Sequence, residues 1–266
     1  MQNIRSPAVA GMFYPGEANI LARDVRAMLA AARPGELNPK ALIAPHAGYI
    51  YSGAIAASAY AALKNIASNI RRVVLLGPTH RVAVRGLALP GAEAFATPLG
   101  AVQVDSAAAQ AIAHLPQVTV SAPAHAQEHS LEVQLPFLQT VLPDFKLLPL
   151  AVGMAMPQEV AEVLEILWGG DETLIVVSSD LSHYLPYDTA MQVDAASTQS
   201  ILALEHTLSH EQACGATPIN GLMLAARRHH LTPHLLDLRN SGDTAGPRDG
   251  VVGYAAFAFT EEKGRP

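Results

Sequence analysis

The sequence predicts a single α/β domain built on a mostly parallel central sheet flanked by helices, and three observations carry that expectation. Short runs rich in Val, Ile and Leu, at 41–44, 73–76, 147–152 and 174–177, are bounded by Gly or Pro and read as strands buried on both faces. Stretches with helical spacing separate them, which is the alternation of βαβ units. The chain of 266 residues is half hydrophobic and 15% charged, enough to bury one large core, and no linker, repeat or low-complexity tract divides it. Residues 1–266 are therefore read as one domain.

In chain order, Glu17 to Arg33 has its apolar residues (Ile20, Leu21, Met28, Leu29) at helical spacing and is stopped by Pro34-Gly35. Strand 41–44 leads to a helix capped by Ser52 that runs to Leu63. After strand 73–76, the turn signals Pro90-Gly91 and Pro98-Leu99-Gly100 predict a small antiparallel hairpin within Gly86 to Val104. Asp105 or Ser106 caps a short helix to His114, and Val118 to Val120 is a further strand. Pro123 to Glu128 reads as a loop, and Ser130 to Leu142 as a helix that Pro136 kinks. Strand 146–152, helix 157–167 and strand 173–177 complete another βαβ unit. Tyr187 to Leu204 is a long helix with a short one after it around Leu208, and Thr217-Pro218 starts a helix to about His229. Leu235 to Leu238 and Val251 to Phe259 are the last strands. Alternation in Tyr254-Ala255-Ala256-Phe257-Ala258-Phe259 predicts a half-exposed or edge position.

Composition excludes several roles. A net charge of −6, spread without long runs, argues against a nucleic-acid surface. Ala41 to Leu63 carries no charge, but Pro45, His46, Gly48, Ser52 and Gly53 interrupt it, so it reads as strand, turn and helix and not as a membrane span. The first six residues do not form a secretory signal, and the lone Cys214 excludes an internal disulfide, so a cytoplasmic setting is expected.

Three apolar runs stop at residues able to do chemistry: the first at His46, the second at His80, the third at Asp180 and His183. Ligands bind at the carboxyl ends of strands in parallel sheets, so these groups should share one rim. One such histidine is ordinarily bonded to local backbone. Two in the same placement point to metal, because neutral imidazole is the commonest metal ligand. Cys214 is the best third ligand: free cysteine is usually a buried hydrophobe, but this one precedes a helix start, where the dipole favours thiolate. A His-His-Cys set suits iron, copper or zinc. Asp180 could orient an imidazole or cap a turn, and His183 could move a proton or pack beside Tyr184. His129 either hydrogen-bonds an anionic ligand or caps a helix. Glu128 and Glu132, one helical turn apart, read as a solvated pair, and the histidines at 114, 125, 206, 210, 229, 230 and 234 as surface residues.

A set of motifs occurs in order along nearly the whole chain: Arg5-Ser6-Pro7-Ala8-Val9-Ala10-Gly11-Met12-Phe13-Tyr14-Pro15, Pro45-His46-Ala47-Gly48-Tyr49, Leu76-Gly77-Pro78-Thr79-His80, Glu128-His129-Ser130-Leu131-Glu132, Ser178-Ser179-Asp180 with His183, and Cys214-Gly215. Together they resemble the Memo family, whose prokaryotic members are often labelled component B of the AmmeMemoRadiSam system. The resemblance implies a fold like that of class III extradiol dioxygenases, which hold non-haem Fe(II) with two histidines and a glutamate. It makes His46, His80 and Cys214 the metal-ligand positions, with Fe(II) or copper favoured and zinc admissible, sets Asp180 and His183 beside them, and puts His129 near the substrate side of the pocket, where it would assist His183 in proton transfer. It also implies a small anionic or aromatic ligand, or a peptide, and a functional link to a radical SAM protein. A thiolate in place of the carboxylate ligand changes metal preference and redox behaviour. Two other readings stay open: a binding protein without turnover, and a hydrolase with Cys214 as nucleophile.

Overall fold

The computed structural model describes residues 3–261, in which strands and helices alternate as the hydrophobic pattern dictates. The chain opens with β1 (Ile4–Arg5) and α1 (Ala18–Ala31), then runs through β2 (Pro39–Ala44), α2 (Tyr49–Ala61) and β3 (Arg72–Pro78) to three short strands, β4 (Leu87–Leu89), β5 (Ala94–Thr97) and β6 (Gly100–Gln103). After α3 (Ser106–Ile112), β7 (Val118–Val120), α4 (Ala122–Ala126) and α5 (Leu135–Val141) comes the unit β8 (Lys146–Val152), α6 (Pro157–Leu167), β9 (Thr173–Ser178). The last part holds β10 (His183–Leu185), α7 (Tyr187–Leu202), α8 (Ala216–Arg228), β11 (Leu231–Asn240) and β12 (Val251–Glu261).

The main sheet has the order β10-β12-β2-β9-β3-β8-β4-β7, with β11 also paired to β12. At its centre β2, β9, β3 and β8 are parallel, in the register Ala41↔Ile175, Val73↔Leu174 and Val73↔Leu147. Successive side chains leave opposite faces. Leu42, Val73, Leu75 and Val176 meet Leu21 of α1, Ile55 of α2 and Phe137 of α5, whereas Ile43, Val74, Leu76 and Val177 meet Val160 and Leu164 of α6 and Ile219 of α8. Burial on both faces is why the runs show no polar alternation.

The margins correct the expected topology. β12 runs antiparallel to β2, β10 and β11, and β4 antiparallel to β8, so the sheet is mixed and not mostly parallel. β11 and β12 are joined by a short connection, which only antiparallel pairing allows. β12 is also not a half-exposed edge: it lies between β2 and β11, and Val251 to Phe259 is buried except for the half-buried Val252. Its alternation is one of size. Tyr254, Ala256 and Ala258 enter one core layer, and Ala255, Phe257 and Phe259 the other.

The hairpin between 86 and 104 forms as β5 and β6, extended by β1 into a separate three-stranded sheet, and Asp105 caps α3 by accepting from the Ala108 amide. Several boundaries shift. α2 starts behind Gly48, and the Ser52 hydroxyl donates to the Ala47 carbonyl. α8 starts behind Gly215, which puts Pro218 in the first turn, where a missing N–H costs nothing. Pro136 likewise opens α5 after a 3-10 turn at Glu132–Gln134, so no kink results. Residues 122–126 form α4 in place of the expected loop. No helix forms around Leu208, whose main chain is held instead by the Asn220 amide on both its N–H and its carbonyl. Among the described residues, no helix is long and apolar enough to cross a membrane.

Candidate metal centre

Because β2, β9 and β3 are neighbours and parallel, Ala44, Ser178 and Pro78 end on one rim, and His46, Asp180 and His80 stand two residues beyond each. His46 is buried at 1% exposure; its Nδ1 lies 2.9 Å from Ser178 Oγ, and its main-chain N–H donates to Asp180 Oδ1 at 2.7 Å. Asp180 thus orients His46 through the backbone and not through the ring. His80 is more open, and the buried Glu128 holds it twice: Oε2 accepts from its main-chain N–H at 2.6 Å, and Oε1 lies 2.8 Å from its Nδ1.

The same Glu128 Oε1 accepts the N–H groups of His129 and Ser130 at 2.9 Å each and lies 3.4 Å from His129 Nδ1. This brings His129 into the cluster. Its ring stacks on His80 with centroids 4.7 Å apart and stands edge-on to His46 at 5.5 Å, while His46 and His80 are 5.2 Å apart. Among the described residues, His46, His80 and His129 are the group of three whose ligand atoms all lie within 4.8 Å of one another. Their graded exposure, from buried His46 to exposed His80, leaves the cluster open on one side.

Two glycines permit the approach. A Cβ on Gly77 would meet Ser130 Oγ at 2.8 Å, so only glycine lets the 128–131 loop settle on the end of β3. A Cβ on Gly215 would meet Ser179 Cβ at 2.6 Å, which is how the Cys214 turn reaches the end of β9. Cys214 Sγ consequently lies 3.3 Å from His46 Nε2. The position before α8 does not favour thiolate as expected: burial, then the Asp180 carboxylate, push the thiol up to about 12. His183, at the start of β10, is half-buried and within electrostatic reach of His46 and His80. Tyr184 beside it is 80% exposed with φ of 57°, a left-handed backbone that is strained for an aromatic residue.

Electrostatics favour neutral imidazoles at His46, His129 and His183. Burial, then the neighbouring histidines, hold His46 well below its ordinary value; burial lowers His129 to about 4 and also lowers His183. Burial raises Asp180 to about 7 against the His46 amide. For Glu128 burial works upward, but hydrogen bonds and charge from His80, with the His80 and Ser130 amides, outweigh it and bring the carboxyl to about 2. Neutral rings at His46 and His129, together with His80 braced at Nδ1 by the anchored Glu128 carboxylate, are a donor set that fits a first-row transition metal.

Sequence reasoning missed the supports. Glu128 and Glu132 are buried, not solvated. Glu132 pairs with Arg5 and accepts from the Ala8 and Val9 amides and the Tyr14 hydroxyl. Arg5 also donates to the carbonyls of His125 at 3.0 Å and Glu128 at 2.6 Å, so the N-terminal segment clamps the histidine loop. His125, expected at the surface, is 2% exposed and bonded to the Ala88 carbonyl. His229 is half-buried, stacked on Trp168 with ring centroids 3.7 Å apart. The available signal was the absence of any other charge between Ser130 and Phe137, which makes Glu132 the lone ionised group in an apolar tract.

The fold and the cluster define an α/β protein with a three-histidine pocket, able to hold a metal, at the carboxyl ends of its central strands. The chain belongs to the Memo family: the model described as Memo-like protein matches residues 5–258. It is similar to MEMO1 family proteins from Methanosarcina barkeri, at 34% identity covering 96% of this chain and 99% of that one, and from Aquifex aeolicus, at 34% identity with the same coverage. A crystal structure of an uncharacterized protein from Escherichia coli K12 shares the fold, with a TM-score of 0.54 and 14% identity over 82% of this chain and 98% of that one.

Proposed function

We propose that this chain binds iron or copper through His46, His80 and His129, that Cys214 joins them as a thiolate, and that the open side of the centre takes a small anionic or aromatic ligand for redox chemistry. One observation carries the reading: three imidazoles from separate segments converge within 4.8 Å, with the Nδ1 of His46 and of His80 already engaged elsewhere. A metal held there would supply Lewis acidity and electron transfer to a bound ligand. The chain's own residues would do the rest. Asp180 holds the His46 backbone, Glu128 orients His80 and His129, and half-buried His183 is placed to accept or give a proton. Burial of the Cys214 thiol argues against the hydrolase alternative, since a nucleophile must be ionised to attack.

Metal content of protein purified without added metal tests the reading: stoichiometric iron or copper supports it, and its loss in His46→Ala and His80→Ala locates it. A metal-free protein that takes up neither ion would sink it. Ring cleavage is a narrower question. A thiolate ligand makes ferrous iron prone to oxidation, so anaerobic loading with Fe(II), then catechol and air, should give little yellow ring-opened product. Robust turnover abolished in His183→Ala would establish extradiol cleavage instead.

A further inference from the structure

The buried hydrogen bonds behind His46 can be followed proton by proton. Gln134, fully buried, has its amide orientation set by Pro45: Nε2 lies 2.9 Å from the Pro45 carbonyl, where an oxygen would face an oxygen, and Oε1 accepts from the Tyr60 hydroxyl at 2.8 Å. The second Nε2 proton therefore goes to Ser178 Oγ at 2.7 Å. Ser178 Oγ lies 2.6 Å from the Ser130 carbonyl, an acceptor only, so the single hydroxyl proton lies on that line. Its other neighbour is His46 Nδ1 at 2.9 Å. With the hydroxyl proton committed and the amide donating, that contact is a hydrogen bond only if Nδ1 carries the proton.

We propose that Ser178, braced by Gln134 and Ser130, is a positioning residue that locks His46 as its Nδ1–H tautomer, so that a bare Nε2 faces the cluster before any metal arrives. Ser178, Gln134 and the Ser130 carbonyl carry no charge, so the proton on Nδ1 is set by hydrogen-bond geometry. Nε2 is the atom 3.3 Å from Cys214 Sγ, on the side of the ring away from Ser178. The ring needs no tautomer exchange on binding a metal. The inference rests on the metal reading for its purpose but not for its test.

The test is the ring nitrogen spectrum of ¹⁵N-histidine-labelled, chelator-treated full-length protein, with His46 assigned by the signal missing in His46→Gln. Expected is a protonated, pyrrole-type Nδ1 and a bare, pyridine-type Nε2; the opposite pattern in the wild type overturns the proposal without recourse to any variant. In Ser178→Ala the tautomer preference should disappear and affinity for Zn(II) or Co(II) should fall by about 10–100-fold, the usual cost of losing a group that orients a ligand. Ser178→Thr, which keeps the hydroxyl, should restore both. An unchanged His46 tautomer in folded Ser178→Ala would remove Ser178 from the role. Wild-type protein with the expected tautomer and no affinity for any metal would sink the metal reading while leaving the tautomer assignment standing.

Discussion

His46 Nε2 and Cys214 Sγ lie 3.3 Å apart although 168 residues separate them in the chain. That spacing suits two donors sharing one metal as well as a thiol donating to an imidazole. The two cases differ in protons. His46 and His129 are already neutral near pH 7, since burial lowers both, whereas burial holds Cys214 protonated up to about 12. If Cys214 ligates, metal uptake at pH 7 should release about one proton, because thiolate is the binding form. A pH-indicator titration measures it, and Cys214→Ser should release about one proton fewer than wild type. Zero release from the wild type would leave the metal to the three histidines alone.

Glu128→Gln tests the carboxylate behind His80 and His129. The variant amide would turn a donor toward either the His80 amide or its ring N–H, both of which now donate to Glu128. Metal affinity should fall by about 10–100-fold, as for other groups that orient ligands. Calorimetric titration with Zn(II) gives the number, and an affinity equal to wild type would show that the stacked rings hold themselves in place.

Arg5 and Glu132 form a buried ion pair in which each carboxylate oxygen accepts twice and each guanidinium nitrogen donates once. Removing one partner strands the other charge, at a cost of roughly 3–5 kcal/mol, whereas removing both leaves an apolar gap. Arg5→Met should therefore unfold at much lower urea than wild type, and Arg5→Met with Glu132→Met should recover part of the loss. A double variant as unstable as the sum of the singles would contradict the pairing.

Acid sensitivity should have a contribution from His125. Burial lowers it to about 4, and the ring donates to the Ala88 carbonyl. The unfolded chain takes up this proton near pH ~6.5 and the folded chain only near 4, so the contribution is complete above the former and is lost as pH falls through the latter. The window is worth about 3 kcal/mol for this one group. His125→Gln, which does not titrate and can keep the Ala88 bond, should lose less stability between pH 7 and 4 than wild type. Parallel urea-denaturation profiles for the two proteins would refute this origin.

Where the sequence could be read, one physical cause lies behind it: a strand buried on both faces must be apolar throughout, and the residues just past its carboxyl end stand on the rim. That made β2, β3 and β9, and with them His46, His80 and Asp180, visible in advance. The supports were hidden because their partners are remote. Arg5 meets Glu132 across 127 residues, and Glu128 reaches His80 across 48. His129 enters the cluster only because Gly77 lets its loop close on β3, a packing fact with no local pattern. β12 misleads because alternation of large and small residues looks like alternation of buried and exposed ones until the neighbours are known.

The strand order also sets a timetable for synthesis. β2 has β9 on one side and β12 on the other, and the register pairs Ile43 with Val177 and Phe257. At roughly 5–20 residues per second, a ribosome needs on the order of 10–40 s after making β2 to finish its second neighbour. Through that interval the nascent chain carries an apolar strand, Pro39 to Ala44, with one edge or both unpaired, the kind of template that recruits the wrong partner. The strand that leads to His46 is thus synthesised well before the second neighbour that secures it. The protein's yield in the cell should depend on chaperones that bind short hydrophobic segments.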